Sequence, residues 1–151
     1  MRLMILMLML IVMPAFAAAQ DVSVLSQRGA VLFMRHALAP GTGDPAKFTL
    51  GTCSTQRNLS AVGRGQARRV GRAVRDAGLL HSHVSTSQWC RCADTARLLN
   101  LGEVTSVPAL NSHFAGRGNR EAQWRAVLDM LGALPKGARP LLVTHQINIV
   151  R

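Results

Sequence analysis

Carboxylates, lysine and aromatic rings are all scarce in this chain. It holds 7 Asp and Glu against 18 Lys and Arg, for a formal net charge of +11 over 151 residues. Sixteen of the 18 cations are arginine, whose planar fork suits bidentate phosphate contacts, whereas lysine acts as a point charge. Such a surplus could serve nucleic acid or an anionic membrane. The arginines are scattered, however, and four Phe with two Trp are too few for a base-stacking platform, so no nucleic-acid partner is expected. Three cysteines allow at most one disulfide and one leftover thiol. No repeat, low-complexity tract or linker follows residue 20.

The first twenty residues read as a removable leader. Arg2 supplies a positive start, Leu3 to Met13 form an apolar core, and Ala15-Phe16-Ala17 or Ala17-Ala18-Ala19 offers a small-x-small cleavage site. The apolar stretch is short for a spanning helix, and no cysteine follows it for lipid attachment. Residues 1–20 are therefore expected to act as a signal peptide, with export to the periplasm or medium and no stable membrane anchor after cleavage. Residues 21–151 then form one domain with one core.

Within that domain strands alternate with helices. Val31 to Met34 and Leu141 to Thr144 are short apolar runs of the kind buried on both sides of a parallel sheet, and Val84 to Ser87 and Val104 to Val107 read as two further short strands. Ser60 looks like an N-cap. Behind it Val62, Val70, Val74 and Ala77 lie near one helical face, Arg64, Arg68, Arg72 and Arg75 on the other, and Gly78 closes the helix. Cys92, Ala96 and Leu99 share a face of a second helix. From Glu121, the residues Trp124, Val127, Leu128 and Leu131 keep amphipathic spacing. The predicted fold is α/β, a three-layer α/β/α sandwich with a mostly parallel central sheet.

Two of these strands end in histidine, as Arg35-His36 and Thr144-His145. Parallel sheets collect ligands beyond the carboxyl ends of their strands. Two imidazoles with an arginine at that place suit phosphoryl transfer: one attacks phosphorus while cations hold the oxygens. The pattern resembles the histidine phosphatase superfamily, the phosphoglycerate-mutase-like enzymes with an Arg-His motif. Leu59-Ser60-Ala61-Val62-Gly63-Arg64-Gly65-Gln66-Ala67 is similar to the family's helix opening. Ser87 to Ala96 matches its Ser-x-x-x-Arg-x-x-x-Thr-Ala segment, with Arg91 as the second phosphate arginine.

The resemblance implies a phosphatase of small phosphorylated substrates with no cofactor and no metal. His36 would be the nucleophile, forming a phosphohistidine, and Arg35, Arg91 and His145 would surround the phosphoryl group. Arg57, just before the first helix, is a further candidate for lining the pocket. The family fold would also bring Cys53 near Cys90 and Cys92, so a disulfide from Cys53 to either is expected, with three reduced thiols as the alternative.

The match departs from the family at two places. Ser112 stands where many members carry a proton-donating glutamate, leaving Asp44 and Glu121 as candidate donors. The family would also continue beyond Arg151 with the rest of a helix and a further strand, so a truncated domain is expected. A catalytically degenerate phosphate-binding protein on the same fold is the alternative function. His81 and His83 lack a third ligand and read as an exposed turn rather than a metal site. His113 sits in a loop within possible reach of the pocket. Asn58-Leu59-Ser60 is formally a glycosylation sequon, coincident with the helix cap.

Overall fold

The computed structural model describes residues 23–79 and 81–150. The leader read from residues 1–20 lies outside them. Four strands, β1 (Leu32–Arg35), β2 (His83–Thr86), β3 (Val104–Ser106) and β4 (Pro140–Thr144), alternate with α1 (Ala61–Asp76), α2 (Cys90–Leu99), α3 (Arg120–Gly132) and α4 (Gln146–Ile149). All strand pairs are parallel, in the order β1-β4-β2-β3. The predicted α/β sandwich is what forms. Val84, Leu141 and Val143 meet Cys92, Ala96 and Leu99 of α2 on one face. Leu142 turns to the other face, against Leu110 and Val127 of α3.

The strands differ in how far they fulfil the two-sided burial expected of them. β4 lies between β1 and β2 and is buried at all five positions, with Pro140 tolerated at its first residue. β1 is an edge strand among the described residues and is only half-buried, with Val31 just before it 37% exposed. β2 starts at His83, which places that histidine on a strand rather than in a turn, and His81 donates to the Arg139 carbonyl at 3.2 Å.

The buried face of α1 keeps Val74 and the half-buried Val70 of the face that periodicity suggests, but not Val62 or Ala77. Val62 is 65% exposed and Ala77 lies at the surface, while Gly63, Ala67, Gly71 and Val74 are buried. A Cβ on Gly63 would sit 2.1 Å from the Leu38 carbonyl oxygen, and one on Gly71 would sit 2.0 Å from that of Leu99. Backbone contact that close is available only to glycine. Hydrophobic counting misses it because glycine contributes no apolar side chain. On α3, Val127 is buried, but Trp124 and Leu128 are 39% and 48% exposed, so that predicted apolar face is half-covered.

A disulfide joins Cys53 to Cys90, the first residue of α2. Cys92 cannot compete for Cys53, because it points into the core and is fully buried, and burial pushes its thiol up to about 12. Closing a loop with a sequence separation of 37 would stabilise the fold by roughly 3–4 kcal/mol in the chain-entropy model. Among the described residues no helix is long and apolar enough to cross a membrane. No group of three or more metal-ligating side chains is found among them either.

Candidate active site

β1 and β4 are neighbours in register, Arg35 opposite Thr144, so the residue after each strand emerges at the same edge. The His36 N–H donates to the Thr144 carbonyl at 3.0 Å. Beyond its strand, β1 leads towards α1, while β4 leads into α4, which shares a cavity wall with α3 on the opposite face. Adjacent strands that exit to opposite faces open a crevice, the usual ligand site of a parallel sheet. The two imidazoles stand in it with ring centroids 5.6 Å apart, tilted by 70°.

Motif residues hold the His36 segment from both helices. Gln66 accepts from the Leu38 N–H through Oε1 at 3.0 Å, and the Ser60 N–H donates to the Leu38 carbonyl at 3.1 Å. Ser60 Oγ also caps α1 by accepting from Gly63 N–H at 3.0 Å, as expected. From α2, Thr95 Oγ1 accepts from the Ala37 N–H at 3.0 Å and donates to the Arg91 carbonyl at 2.7 Å. The Ser-x-x-x-Arg-x-x-x-Thr spacing thus puts an arginine into the pocket and a hydroxyl against the backbone of Ala37, next to His36.

His36 Nδ1 lies 2.8 Å from the Ala37 carbonyl, which only accepts, so Nδ1 carries the proton and Nε2 keeps its lone pair. Burial, then Arg91, Arg35 and Arg57, push the His36 pKa down to about 4. Burial, followed by Arg91 and His36, pushes His145 to about 3. Both rings are neutral at pH 7.

These depressed values imply acid sensitivity. Below about 6.5 the unfolded chain binds protons that the folded histidines refuse, so stability falls as pH drops from there towards about 3–4. Urea midpoints at pH 7 and pH 4.5 should show the loss; a midpoint that rises on acidification contradicts the assignment.

Arg91 is 3% exposed and meets Asp44 in a bidentate pair at 2.6 and 3.1 Å. Asp44 also accepts from Trp89 Nε1 at 2.9 Å and from the Arg57 N–H at 3.2 Å. Burial opposes its ionisation, but these four donors outweigh burial and hold the carboxyl at about 2. A carboxylate held ionised has no proton to give at neutral pH, so the proton-donor role read for Asp44 does not fit its surroundings. It anchors Arg91 instead. The Arg91 Nε–H is buried with no hydrogen-bond partner, and Arg91 lines the pocket.

Arg57 lines the same pocket and staples its loop, donating from Nε to the Gly43 carbonyl at 2.7 Å and from Nη1 to the Ala39 carbonyl. Arg35 is exposed at the pocket rim. The crevice measures about 430 Å³, and Arg35, His36, Arg57, Arg91 and His145 all line it. Glu121 does not. Its side chain is 81% exposed on α3, paired with Arg125 at 2.8 Å, and it borders a separate cavity together with His113. Ser112 does reach the pocket, buried, its Oγ accepting from the Phe114 N–H at 3.3 Å.

Sequence reasoning missed several contributors. Trp89 packs edge-on against His145 with centroids 5.3 Å apart and stacks on Phe48 at 4.9 Å, with Arg117 over Phe48 at 4.6 Å. Ser87 Oγ lies 2.9 Å from His145 Nε2, and Asn111 holds Ser87. Ser87 was visible as the first residue of its motif; Phe48, Arg117 and Asn111 had no sequence signal.

No family model matches the sequence, and no curated protein does. Solved structures do. A protein assigned as the phosphohistidine phosphatase SixA from Agrobacterium tumefaciens superposes with a TM-score of 0.59 at 18% identity, covering 81% of this chain and 71% of its own. A mycobacterial glucosyl-3-phosphoglycerate phosphatase gives 0.55 at 17%, covering 82% and 76%. A phosphoserine phosphatase from Entamoeba histolytica gives 0.57 at 13%, covering 79% and 75%. With its parallel sheet in the order β1-β4-β2-β3, the chain has the phosphoglycerate-mutase-like α/β fold that these phosphatase structures share.

Proposed function

We propose that this protein is an exported phosphatase that hydrolyses small phosphorylated substrates through a phosphohistidine on His36. The observation that carries the reading is the Nδ1 contact to the Ala37 carbonyl, which leaves a neutral, unprotonated Nε2 beside Arg91 and His145. Nε2 attacks phosphorus, forming the N–P bond as the bond to the leaving oxygen breaks. Water then attacks phosphorus, the N–P bond breaks, and His36 is neutral again. Arg35, Arg91 and His145 offset charge on the equatorial oxygens. A crevice of about 430 Å³ suits a small molecule.

The crevice offers the leaving oxygen no free carboxylic acid, because Asp44 is held ionised and Glu121 lies elsewhere. Aryl phosphates, whose leaving groups need no proton, should therefore be cleaved at least about 100-fold better than alkyl phosphates. Equal rates for the two classes would mean that another acid serves. The same shortage favours the second reading, a phosphate-binding protein without turnover. Phosphate binding with neither ester cleaved would select it.

Export accords with the disulfide, since such bonds persist in oxidising compartments. Mass spectrometry of unreduced protein from the periplasm or medium should find the first 17 to 20 residues removed and one free thiol. Met1 still attached counts against export, and three free thiols against the disulfide.

A further inference from the structure

His36 and His145 are both neutral, but the hydrogen bonds around them fit opposite tautomers. Around His145 the constraint starts at Asn111. The Gln88 N–H can only donate, and it lies 2.9 Å from Asn111 Oδ1, while Asn111 Nδ2 donates to Gln88 Oε1 at 2.8 Å. The Asn111 amide is thereby fixed, with its oxygen towards Ser87. Ser87 Oγ lies 3.2 Å from that oxygen, and an oxygen that only accepts takes the hydroxyl hydrogen. Ser87 Oγ, with no second hydrogen, can then only accept from His145 Nε2 at 2.9 Å.

Cys92 does not alter this assignment. Its Sγ is 3.5 Å from both the Thr144 carbonyl and His145 Nε2, and the carbonyl can take the thiol hydrogen. Ser87 is itself fixed by its N–H, which donates to the Val143 carbonyl at 3.0 Å, and it is fully buried.

We infer that Asn111 and Ser87 form a positioning relay that keeps the proton of His145 on Nε2 and leaves Nδ1 as the nitrogen available to the substrate. This rests on the phosphatase reading for its consequence, though not for its geometry. The site then holds two lone pairs, Nε2 of His36 and Nδ1 of His145. The second becomes a donor only by taking up a proton when a dianionic phosphoryl group enters. The charged and titratable groups facing His145 are Arg91 and the Cys92 thiol from α2, His36 beyond β1, and Asp44 and Arg57 from the loop between β1 and α1. Among these only the carboxylate favours the imidazolium, so a bound dianion would supply the missing negative charge. The relay holds the ring so that this proton arrives on the pocket side.

The test is the nitrogen spectrum of the imidazole rings in the unliganded full chain at pH 7. Long-range proton–nitrogen correlations can be assigned by loss of signal in His36→Gln and His145→Gln. His145 should be in the Nε2–H form and His36 in the Nδ1–H form. Asn111→Ala frees the Ser87 hydrogen to turn towards His145, so the Nδ1–H population should rise and kcat for an aryl phosphate should fall at least about tenfold. A wrong tautomer is costlier still in serine proteases. Asn111→Asp keeps an acceptor for Ser87 and should retain the Nε2–H form, which a merely structural role for Asn111 would not predict.

A wild-type His145 found in the Nδ1–H form overturns the relay without any variant having to fold. So does an Asn111→Ala protein with an unchanged tautomer. Because the spectrum needs no turnover, Nε2–H on His145 in an inactive protein would support the relay while contradicting the phosphatase. Nδ1–H in an active one would do the reverse.

Discussion

His36→Ala should lower turnover of an aryl phosphate by at least about 10³-fold while inorganic phosphate still binds. The nucleophile contributes the N–P bond itself, and no water in the crevice inherits the position that the Ala37 carbonyl and Thr95 give this ring. Phosphate binding should persist, because the Arg35 and Arg91 guanidinium groups still line the pocket. Steady-state kinetics and calorimetric titration read the two effects separately. A variant that keeps near-wild-type turnover removes the phosphohistidine from the mechanism. Ala37 and Leu38, directly after His36, are held through backbone hydrogen bonds to Thr95, Gln66 and Ser60, so the substitution should leave the fold intact.

Asp44→Ala should cost about 3–5 kcal/mol, the usual penalty for leaving one member of a buried ion pair alone. Arg91 is 3% exposed and has both Nη nitrogens on that carboxylate. Trp89 Nε1 and the Arg57 N–H would lose their acceptor as well. Against a typical total of about 5–15 kcal/mol, such a loss is large. Urea unfolding measures it, and inorganic phosphate should restore more stability to the variant than it adds to the wild type, since it offers Arg91 a replacement anion. A loss under 1 kcal/mol would mean that Arg91 relaxes to solvent and that Asp44 is not its anchor.

These two residues mark how far the sequence could be read. Two apolar runs disclosed the strands that end in histidine, because a strand buried on both faces is apolar over most of its length, as β4 is up to Thr144. Arg35-His36 and Thr144-His145 disclosed the crevice, because strand ends are where such sheets bind. Asp44 was legible as a member of the site, but its role was not. A carboxylate becomes an acid or an anchor according to its neighbours, and Arg91 lies 47 positions away. Glu121 was misplaced for a similar reason: loop direction is set by packing, and α3 turns that residue to solvent beside Arg125. The face of α1 was read only in part, through Val70 and Val74, because Gly63 and Gly71 pack through backbone, which hydrophobic spacing does not register.

The measurement closest to the central claim is a trapped phosphoenzyme. Brief incubation with an aryl phosphate, followed by quenching without acid and peptide mapping, should find phosphate on the peptide containing His36. That linkage should be labile to acid and stable to alkali, as a phosphoramidate is and a phosphoserine is not. No label should form on His36→Ala. Label that survives His36→Ala, or turnover with no acid-labile adduct under conditions that trap one, would contradict the phosphohistidine mechanism.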